Sequence, residues 1–394
     1  MREKIILLGA TGSIGKQCLD ILKYSDEYEL VGISFNSRIP EIEPYLFYFD
    51  SLKYVAISDE EAASIFKDKH PSYQVLTGSD SSVKLVDLNK GVTVFNSLMG
   101  NIGLLPTLAA IKNNSDVLLS NKESLVIGSS LIKLALKDSR SHIYPVDSEH
   151  VALAKLIKEA SDLNIQRDEI DELIVTASGG SLRDKKLEEL EEATPSEVLK
   201  HPTWHMGSKI TVDSATLVNK GFEVIEASVL FDFPLERVKA IICKESLVHA
   251  LLSYKREGEI HYLYEYSPCD MKVAIAYALS KGKLGAHKLS IEDKEAVQKL
   301  HFARIDKRFY PAFNLTVDMF SRHSNIGMLY YNAVDTCAIN AFLHNEIKYL
   351  DIYKALKYTF DNFQDGLELN ESNLDENIKR ADEFAIEVIR KIKR

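Results

Sequence analysis

Two stretches of this chain concentrate groups that bind cations and move protons. Pro145-Val-Asp147-Ser148-Glu149-His150 sets two carboxylates, a hydroxyl and an imidazole side by side at the end of an apolar run. Asp213-Ser214-Ala-Thr-Leu-Val-Asn219-Lys220-Gly-Phe-Glu223-Val-Ile-Glu226 adds a hydroxyl, an amide, an ammonium and two carboxylates at i, i+3. Three carboxylates drawn from two segments make an oxygen-rich site suited to a hard divalent cation such as Mg2+ or Mn2+. Ser148 equally serves as a helix N-cap with Glu149 in the first turn, and Glu223 and Glu226 equally serve as partners on a helix surface. Thr176-Ala-Ser178-Gly-Gly180 offers a hydroxyl and bare N–H groups to an oxyanion, and with Ser214, Asn219 and Lys220 it would form a phosphate cradle. His201-Pro-Thr-Trp204-His205-Met206-Gly207 holds the single Trp of the chain. A lone Trp is more often core than catalytic, but one bracketed by Pro and Gly fits a lid.

Two further turns point to a nucleotide. Gly9-Ala-Thr-Gly12-Ser-Ile-Gly15 stands where a first apolar run hands over to a helical pattern, so the backbone can approach a pyrophosphate at a helix N-terminus. A plain strand-to-helix turn uses the same glycines. After the second run, Gly32-Ile-Ser-Phe-Asn36-Ser-Arg38 lacks the acid that reads a ribose 2′-hydroxyl, which favours NADP over NAD. Arg38 also fits as a solvated surface charge. Asn121-Lys122-Glu123-Ser124 ends another run, where Lys122 is placed to polarise a substrate oxygen or touch a nicotinamide.

These residues need a scaffold. Lys4–Leu8, Glu29–Ser34, Tyr54–Ile57, Val92–Asn96, Asp116–Ser120 and His142–Val146 read as strands separated by helices, which is a doubly wound parallel sheet with both faces covered. A helix over 148–160, a strand over 171–176, an irregular stretch over 194–207, a helix over about 215–230 and strands at Val238–Ile242, Ser246–Tyr254 and Glu259–Tyr266 make a second, α+β domain. The expected divisions are a nucleotide-binding domain over 1–149, a catalytic and metal-binding domain over 150–285 with a flap at about 198–208, a linker over 286–324 that starts near 281–290, and a helical domain over 325–394.

At ~100–200 residues per domain, the 394 residues fit two or three cores. The 48 basic and 58 acidic side chains leave a net charge of −10, against a general affinity for nucleic acid or anionic membrane. No run approaches a membrane span, no leader-like segment opens the chain, and four scattered cysteines suit reduced thiols. A reducing cytoplasm is the expected compartment.

Taken in order, these segments resemble the 1-deoxy-D-xylulose 5-phosphate reductoisomerase family. The run from His201 to Ala227, His-Pro-x-Trp-x-Met-Gly-x-Lys-Ile-Thr-Val-Asp-Ser-Ala-Thr-Leu-x-Asn-Lys-Gly-Phe-Glu-Val-Ile-Glu-Ala, is the most specific match. The resemblance implies a Rossmann-like N-terminal domain, NADPH, a divalent metal (Mg2+, Mn2+ or Co2+), a sugar phosphate substrate and a homodimer. It implies Asp147, Glu149 and Glu223 as metal ligands, and Ser178, Ser214, Asn219 and Lys220 on the substrate phosphate. Trp204 and Met206 would belong to the flap, and Lys122, Ser148, Glu149, His150 and His201 would line the reacting centre. Gly9, Thr11, Gly12, Ser13, Ile14, Gly15, Asn36, Asn121, Glu123 and Gly207 would contact the nucleotide. The implied reaction is a skeletal rearrangement of the ketose, by retro-aldol and aldol steps, followed by hydride reduction.

The chain departs from the family in three places. Cys243-Lys-Glu-Ser246-Leu-Val-His249 stands for His-Pro-Gln-Ser-x-x-His, Ser181-Leu182 for Pro-Phe, and Ser34-Phe35-Asn36 for Gly-Lys-Asn. A reductase for another sugar phosphate or a semialdehyde, and a nucleotide-binding homologue without activity, are the alternatives. Simple dehydrogenases have no need of the paired acidic segments, and a silent homologue has no physical reason to keep metal and phosphate groups together.

Overall fold

Ile5 to Leu8 are four successive apolar residues, and all four are buried, so the strand that carries them is covered on both faces. The computed structural model describes residues 2–204, 206–284, 299–364, 366 and 368–393. In it, strands β1 (Glu3–Leu8), β2 (Tyr28–Phe35), β3 (Tyr54–Ile57), β4 (Gln74–Thr77), β5 (Thr93–Asn96), β6 (Val117–Leu119) and β7 (Ile143–Pro145) form one parallel sheet in the order β4-β3-β2-β1-β5-β6-β7. Helices alternate with them, from Ser13–Leu22 after β1 to Lys122–Lys137 after β6. The strand order reverses between β1 and β5, and the carboxyl ends flanking such a reversal are where ligands bind in open α/β sheets.

β4 is one strand more than the sequence pattern predicts. It is short, half-exposed and at the sheet edge, so it carries no apolar run. The helix Met271–Leu279 also returns to this unit, placing Ile275, Ala278 and Leu279 in the same core as Ile5, Leu7 and Phe35. The Tyr28 hydroxyl donates to the Leu279 carbonyl, and Lys281 pairs with Asp116 at 2.7 Å and Glu3 at 2.6 Å. The first compact unit is therefore the chain up to Asp147 together with Asp270–Leu284. A domain expected to run continuously over 150–285 is cut short at Cys269 by those contacts.

The second unit, Ser148–Cys269 with the remainder of the chain beyond 284, is built on a mixed sheet. Its strands β8 (Ile170–Ala177), β9 (Val238–Cys243), β10 (Val248–Arg256), β11 (Glu259–Tyr266) and β12 (Phe302–Ala303) lie in the order β11-β10-β8-β9-β12. Glu257 and Gly258 turn the β10–β11 hairpin with φ of 55° and 84°, the positive pair a two-residue hairpin favours. Ser246, expected inside a strand, has φ 55° and stands outside β10. Leu173, Val175 and Leu252 pack with Leu153 and Leu156 of helix Ser148–Asp162 and with Val224 and Ala227 of helix Val218–Leu230.

The single helix expected over 215–230 is two, Ser208–Thr216 and Val218–Leu230, broken at Leu217 with φ 59°. Of the expected linker, residues 286–298 lie outside the described residues, as does His205 of the flap. Helix Pro311–Leu343 already occupies the linker's last part and kinks at Ser324, with φ 52° and ψ −148°. Tyr349–Asn362 and Leu374–Ile392 complete the helical C-terminal region.

Candidate active site

The glycine turn is held by its neighbours. Gly9 adopts φ 81°, and a Cβ there would stand 2.6 Å from the Ser97 carbonyl oxygen at the end of β5, so only glycine fits. Ser34 at β2 accepts the Gly9 N–H at 3.1 Å and the Ala10 N–H at 2.8 Å on its carbonyl. Gly12 caps helix Ser13–Leu22 without any side-chain hydrogen bond, so the N–H groups around Ser13, Ile14 and Gly15 stand at a helix start suited to an anion. Asn36 follows β2, and Thr11 sits within the turn.

Asn121 caps helix Lys122–Lys137, accepting the Ser124 N–H at 3.0 Å. Its amide donates to the Leu98 carbonyl at 2.9 Å, the Gly100 carbonyl at 3.0 Å and Glu123 Oε2 at 3.1 Å. It therefore fixes the loop after β5 as well as the helix that presents Lys122. Lys122 Nζ lies 2.6 Å from Asp147 Oδ2, both side chains being nearly buried.

Asp147, Glu149 and Glu223 each bring one carboxylate oxygen within 4.8 Å of the others. Asp147 immediately precedes helix Ser148–Asp162, whose first turn carries Ser148 and Glu149, while Glu223 comes from helix Val218–Leu230. The Ser148 hydroxyl donates to Glu149. Lys220 Nζ bridges Glu149, at 2.7 Å, and Glu223, and the Asn219 amide donates to the other Glu223 oxygen. Burial opposes the Lys220 charge, but the two carboxylates more than offset it and hold the ammonium above its usual pKa range. The donor set is all oxygen and largely buried, and it fits a hard divalent cation.

His150 is fully buried. Its Nε2 lies 3.0 Å from the Glu223 carbonyl and its Nδ1 3.5 Å from Glu226 Oε2. With no exposed surface, its ring packs against helix Val218–Leu230 beside Glu223. Glu226 belongs to the same contact.

A second group gathers around His201. Its Nδ1 accepts the Trp204 N–H at 3.0 Å, which leaves the proton on Nε2, and Nε2 stands 3.0 Å from Ser178 Oγ and 3.3 Å from Ser214 Oγ. Burial, with the Arg183 charge adding, pushes its pKa down to about 4, so the ring is neutral near pH 7. Ser178 follows β8 directly, and its hydroxyl accepts the Gly180 N–H at 3.1 Å. Trp204 packs edge-on against His249, ring centroids 6.1 Å apart. Gly207 caps helix Ser208–Thr216, which carries Ser214.

Sequence reasoning missed two supports. Arg183 donates to the Ser178 carbonyl at 3.0 Å and to the Lys244 carbonyl at 2.8 Å. Lys209 pairs with Asp213 and Asp335, each at 2.8 Å, tying the Ser214 helix to helix Pro311–Leu343. The i, i+4 spacing of Lys209 and Asp213 was the only local signal. Cys243, where the family has histidine, is buried with Sγ 3.9 Å from Glu245 Oε2, and Glu245 in turn meets His301 Nδ1 at 2.8 Å.

Comparison with known proteins matches the chain along most of its length. Residues 5–129 match the model for 1-deoxy-D-xylulose 5-phosphate reductoisomerase, 143–231 that for its C-terminal domain, and 266–387 that for the DXP reductoisomerase C-terminal domain. The 1-deoxy-D-xylulose 5-phosphate reductoisomerase of Thermodesulfovibrio yellowstonii is 36% identical over 360 residues, covering 91% of this chain and 92% of that one. The Bacillus subtilis enzyme of the same name is 36% identical over 365 residues, 90% of this chain and 91% of that one. Among solved structures, the Zymomonas mobilis reductoisomerase in complex with NADPH superposes with a TM-score of 0.85 at 28% identity, covering 99% of both chains. A DOX-P reductoisomerase in complex with NADPH, fosmidomycin and magnesium gives 0.88 at 28% identity, covering 100% of this chain and 99% of that one. The chain belongs to the 1-deoxy-D-xylulose 5-phosphate reductoisomerase family.

Proposed function

We propose that this chain is an NADPH- and divalent-metal-dependent reductoisomerase that converts 1-deoxy-D-xylulose 5-phosphate to 2-C-methyl-D-erythritol 4-phosphate. The observation that carries the reading is the Asp147, Glu149 and Glu223 carboxylate group gripped by Lys220, in a chain of this family. Those three residues hold Mg2+, Mn2+ or Co2+, and the glycine turn Gly9–Gly15 with Asn36, Asn121 and Glu123 takes NADPH. When bound, these groups supply Lewis-acid polarisation of the ketose oxygens and a hydride.

The remaining work falls to the chain's own side chains. Ser178, Ser214 and Asn219 bind the substrate phosphate, with His201 donating through Nε2–H as a neutral group that costs no proton exchange. Lys220 turns its charge to that phosphate as well as to Glu149 and Glu223, so remote binding energy helps organise the reacting end. Lys122 and Ser148 orient the ketose oxygens. Trp204, Met206 and Gly207 belong to a flap that excludes water during the rearrangement. In this scheme 1–149 with 270–284 serves the nucleotide, 150–269 the substrate and metal, and 325–394 packs behind the Ser214 helix.

The working unit is a homodimer in a reducing cytoplasm. Supporting this, β11 ends its sheet with Ile260, Tyr262 and Tyr264 exposed, the cysteines are free thiols, and among the described residues no helix is long and apolar enough to cross a membrane. Sedimentation equilibrium should return twice the chain mass; a monomer would remove the dimer from this scheme.

Purified protein given 1-deoxy-D-xylulose 5-phosphate, NADPH and Mg2+ or Mn2+ should consume NADPH, and a chelator should stop it. NADPH consumption unaffected by chelator would overturn the metal assignment.

A further inference from the structure

Asp213 and Asp335 meet where the helix that carries Ser214 packs on helix Pro311–Leu343, and one ammonium serves both. Lys209 Nζ lies 2.8 Å from Oδ2 of each. Asp335 is fully buried and Asp213 nearly so. The second oxygen of each carboxyl, Oδ1, is buried without a hydrogen-bond donor, and the two carboxyls stand in contact with each other. Two carboxylates against one ammonium would leave a buried negative charge uncompensated, and like charges this close do not both ionise.

The surrounding groups leave that deficit in place. Tyr331 is fully buried near both carboxyls, but its hydroxyl proton goes elsewhere: Thr316 Oγ1 donates to the Ala312 carbonyl at 2.8 Å and therefore accepts from Tyr331 at 3.1 Å. Tyr353 of helix Tyr349–Asn362 stands beyond Tyr331, and Tyr349 of the same helix donates to the Ala215 carbonyl at 2.9 Å. Helix Val218–Leu230 packs against both acid-bearing helices and turns Lys220 to Glu149 and Glu223 instead, while helix Pro195–Val198 pairs Glu197 with Lys185. Burial first, and then the Asp335 charge, push the Asp213 carboxyl well above its usual range against the opposing pull of Lys209.

We propose that Asp213 and Asp335 hold one proton between them, and that this acid pair with Lys209 locks helix Ser208–Thr216, and with it Ser214, against helix Pro311–Leu343. The proton satisfies both Oδ1 atoms at once and brings the three groups to net neutrality. Asp335 is thus a positioning residue, acting on the phosphate cradle through the neighbour of Ser214. The positioning rests on the cradle reading above; the shared proton does not.

Infrared spectra of the whole protein near pH 7 should contain a protonated-carboxyl band that Asp335→Asn removes, since the new amide donates to Asp213 permanently. Urea unfolding between about pH 6 and 8 reads the same proton. It is bound in the folded chain and lost from the unfolded one, whose carboxyls ionise near about 4, so stability falls as pH rises; relative to Asp335→Asn, the wild-type folding constant should drop by up to about tenfold per pH unit. Asp335→Leu, which breaks the tie, should raise KM for 1-deoxy-D-xylulose 5-phosphate about tenfold with kcat within about twofold, and Asp335→Asn should keep the wild-type KM. An unchanged carboxyl band or parallel unfolding curves would overturn the shared proton, and an unchanged KM in Asp335→Leu would overturn the positioning. Absence of turnover in wild type would instead overturn the proposed function, with the band and the unfolding curves still deciding the proton.

Discussion

Lys220 is a buried cation between Glu149 and Glu223, and Lys122 plays the same part for Asp147. Three carboxylates so close would repel one another in a dry site, and the two ammonium groups supply part of the compensation that a divalent cation completes. Glu223→Gln should therefore lower kcat at least about a hundredfold while NADPH affinity, read by calorimetry, is unchanged; near-normal turnover would contradict the assignment. His201 offers a pH test. Its pKa is depressed from 6.5 to about 4, so its contribution to stability is full above the unfolded value and is lost as pH falls from about 6.5 toward 4. An NMR titration should find its midpoint near the lower value with the proton on Nε2, and a midpoint near 6.5 would refute the buried neutral ring. The carboxylate group was legible because its residue types cluster within 147–150 and 213–226, and the structure brings Asp147, Glu149 and Glu223 together. Asp335 was not, since it meets Lys209 across 126 residues and no local pattern records that.

Elements position the site through tight backbone crossings. Gly180, with φ 72°, lies so close to helix Ser208–Thr216 that a Cβ would stand 2.6 Å from both the Ser214 carbonyl oxygen and Ala215 Cα. Gly180→Ala should cost about 2 kcal/mol or more of stability in urea unfolding, from a positive φ and a backbone clash together. Because Ser214 must shift, KM for the sugar phosphate should rise while NADPH affinity holds. An unchanged stability and KM would mean the crossing is looser than it stands here. The alternation of strands and helices in the first unit was readable because buried parallel strands are apolar throughout. β4 was not, because an edge strand with Gln74 and Thr77 exposed carries no such run. The break at Leu217 escaped as well: a leucine at φ 59° is held by its burial, at 2% exposure, and leaves no glycine or proline to announce it.

At the scale of the molecule, chain order and spatial order part company once. Asp270–Leu284 follows the second sheet in sequence but completes the core of the first unit, through the Tyr28 to Leu279 hydrogen bond and the Lys281 ion pairs with Glu3 and Asp116. Those contacts span more than 160 residues, beyond the reach of periodicity. The class of fold, by contrast, followed from pattern alone, since a parallel sheet feeding an α+β unit has few other readings. The acidic balance of −10 leaves the cations to local work, at Lys122 and Lys220, which suits a small phosphorylated substrate and nucleotide better than a polyanion. Rearrangement of the carbon skeleton before its reduction is what separates this activity from that of a simple ketone reductase. The most direct measurement is NMR of the product formed from 1-deoxy-D-xylulose 5-phosphate, NADPH and Mg2+. A branched tetritol phosphate, with its methyl group on a quaternary carbon, is the predicted result; a linear deoxypentitol phosphate would show simple ketone reduction and contradict it.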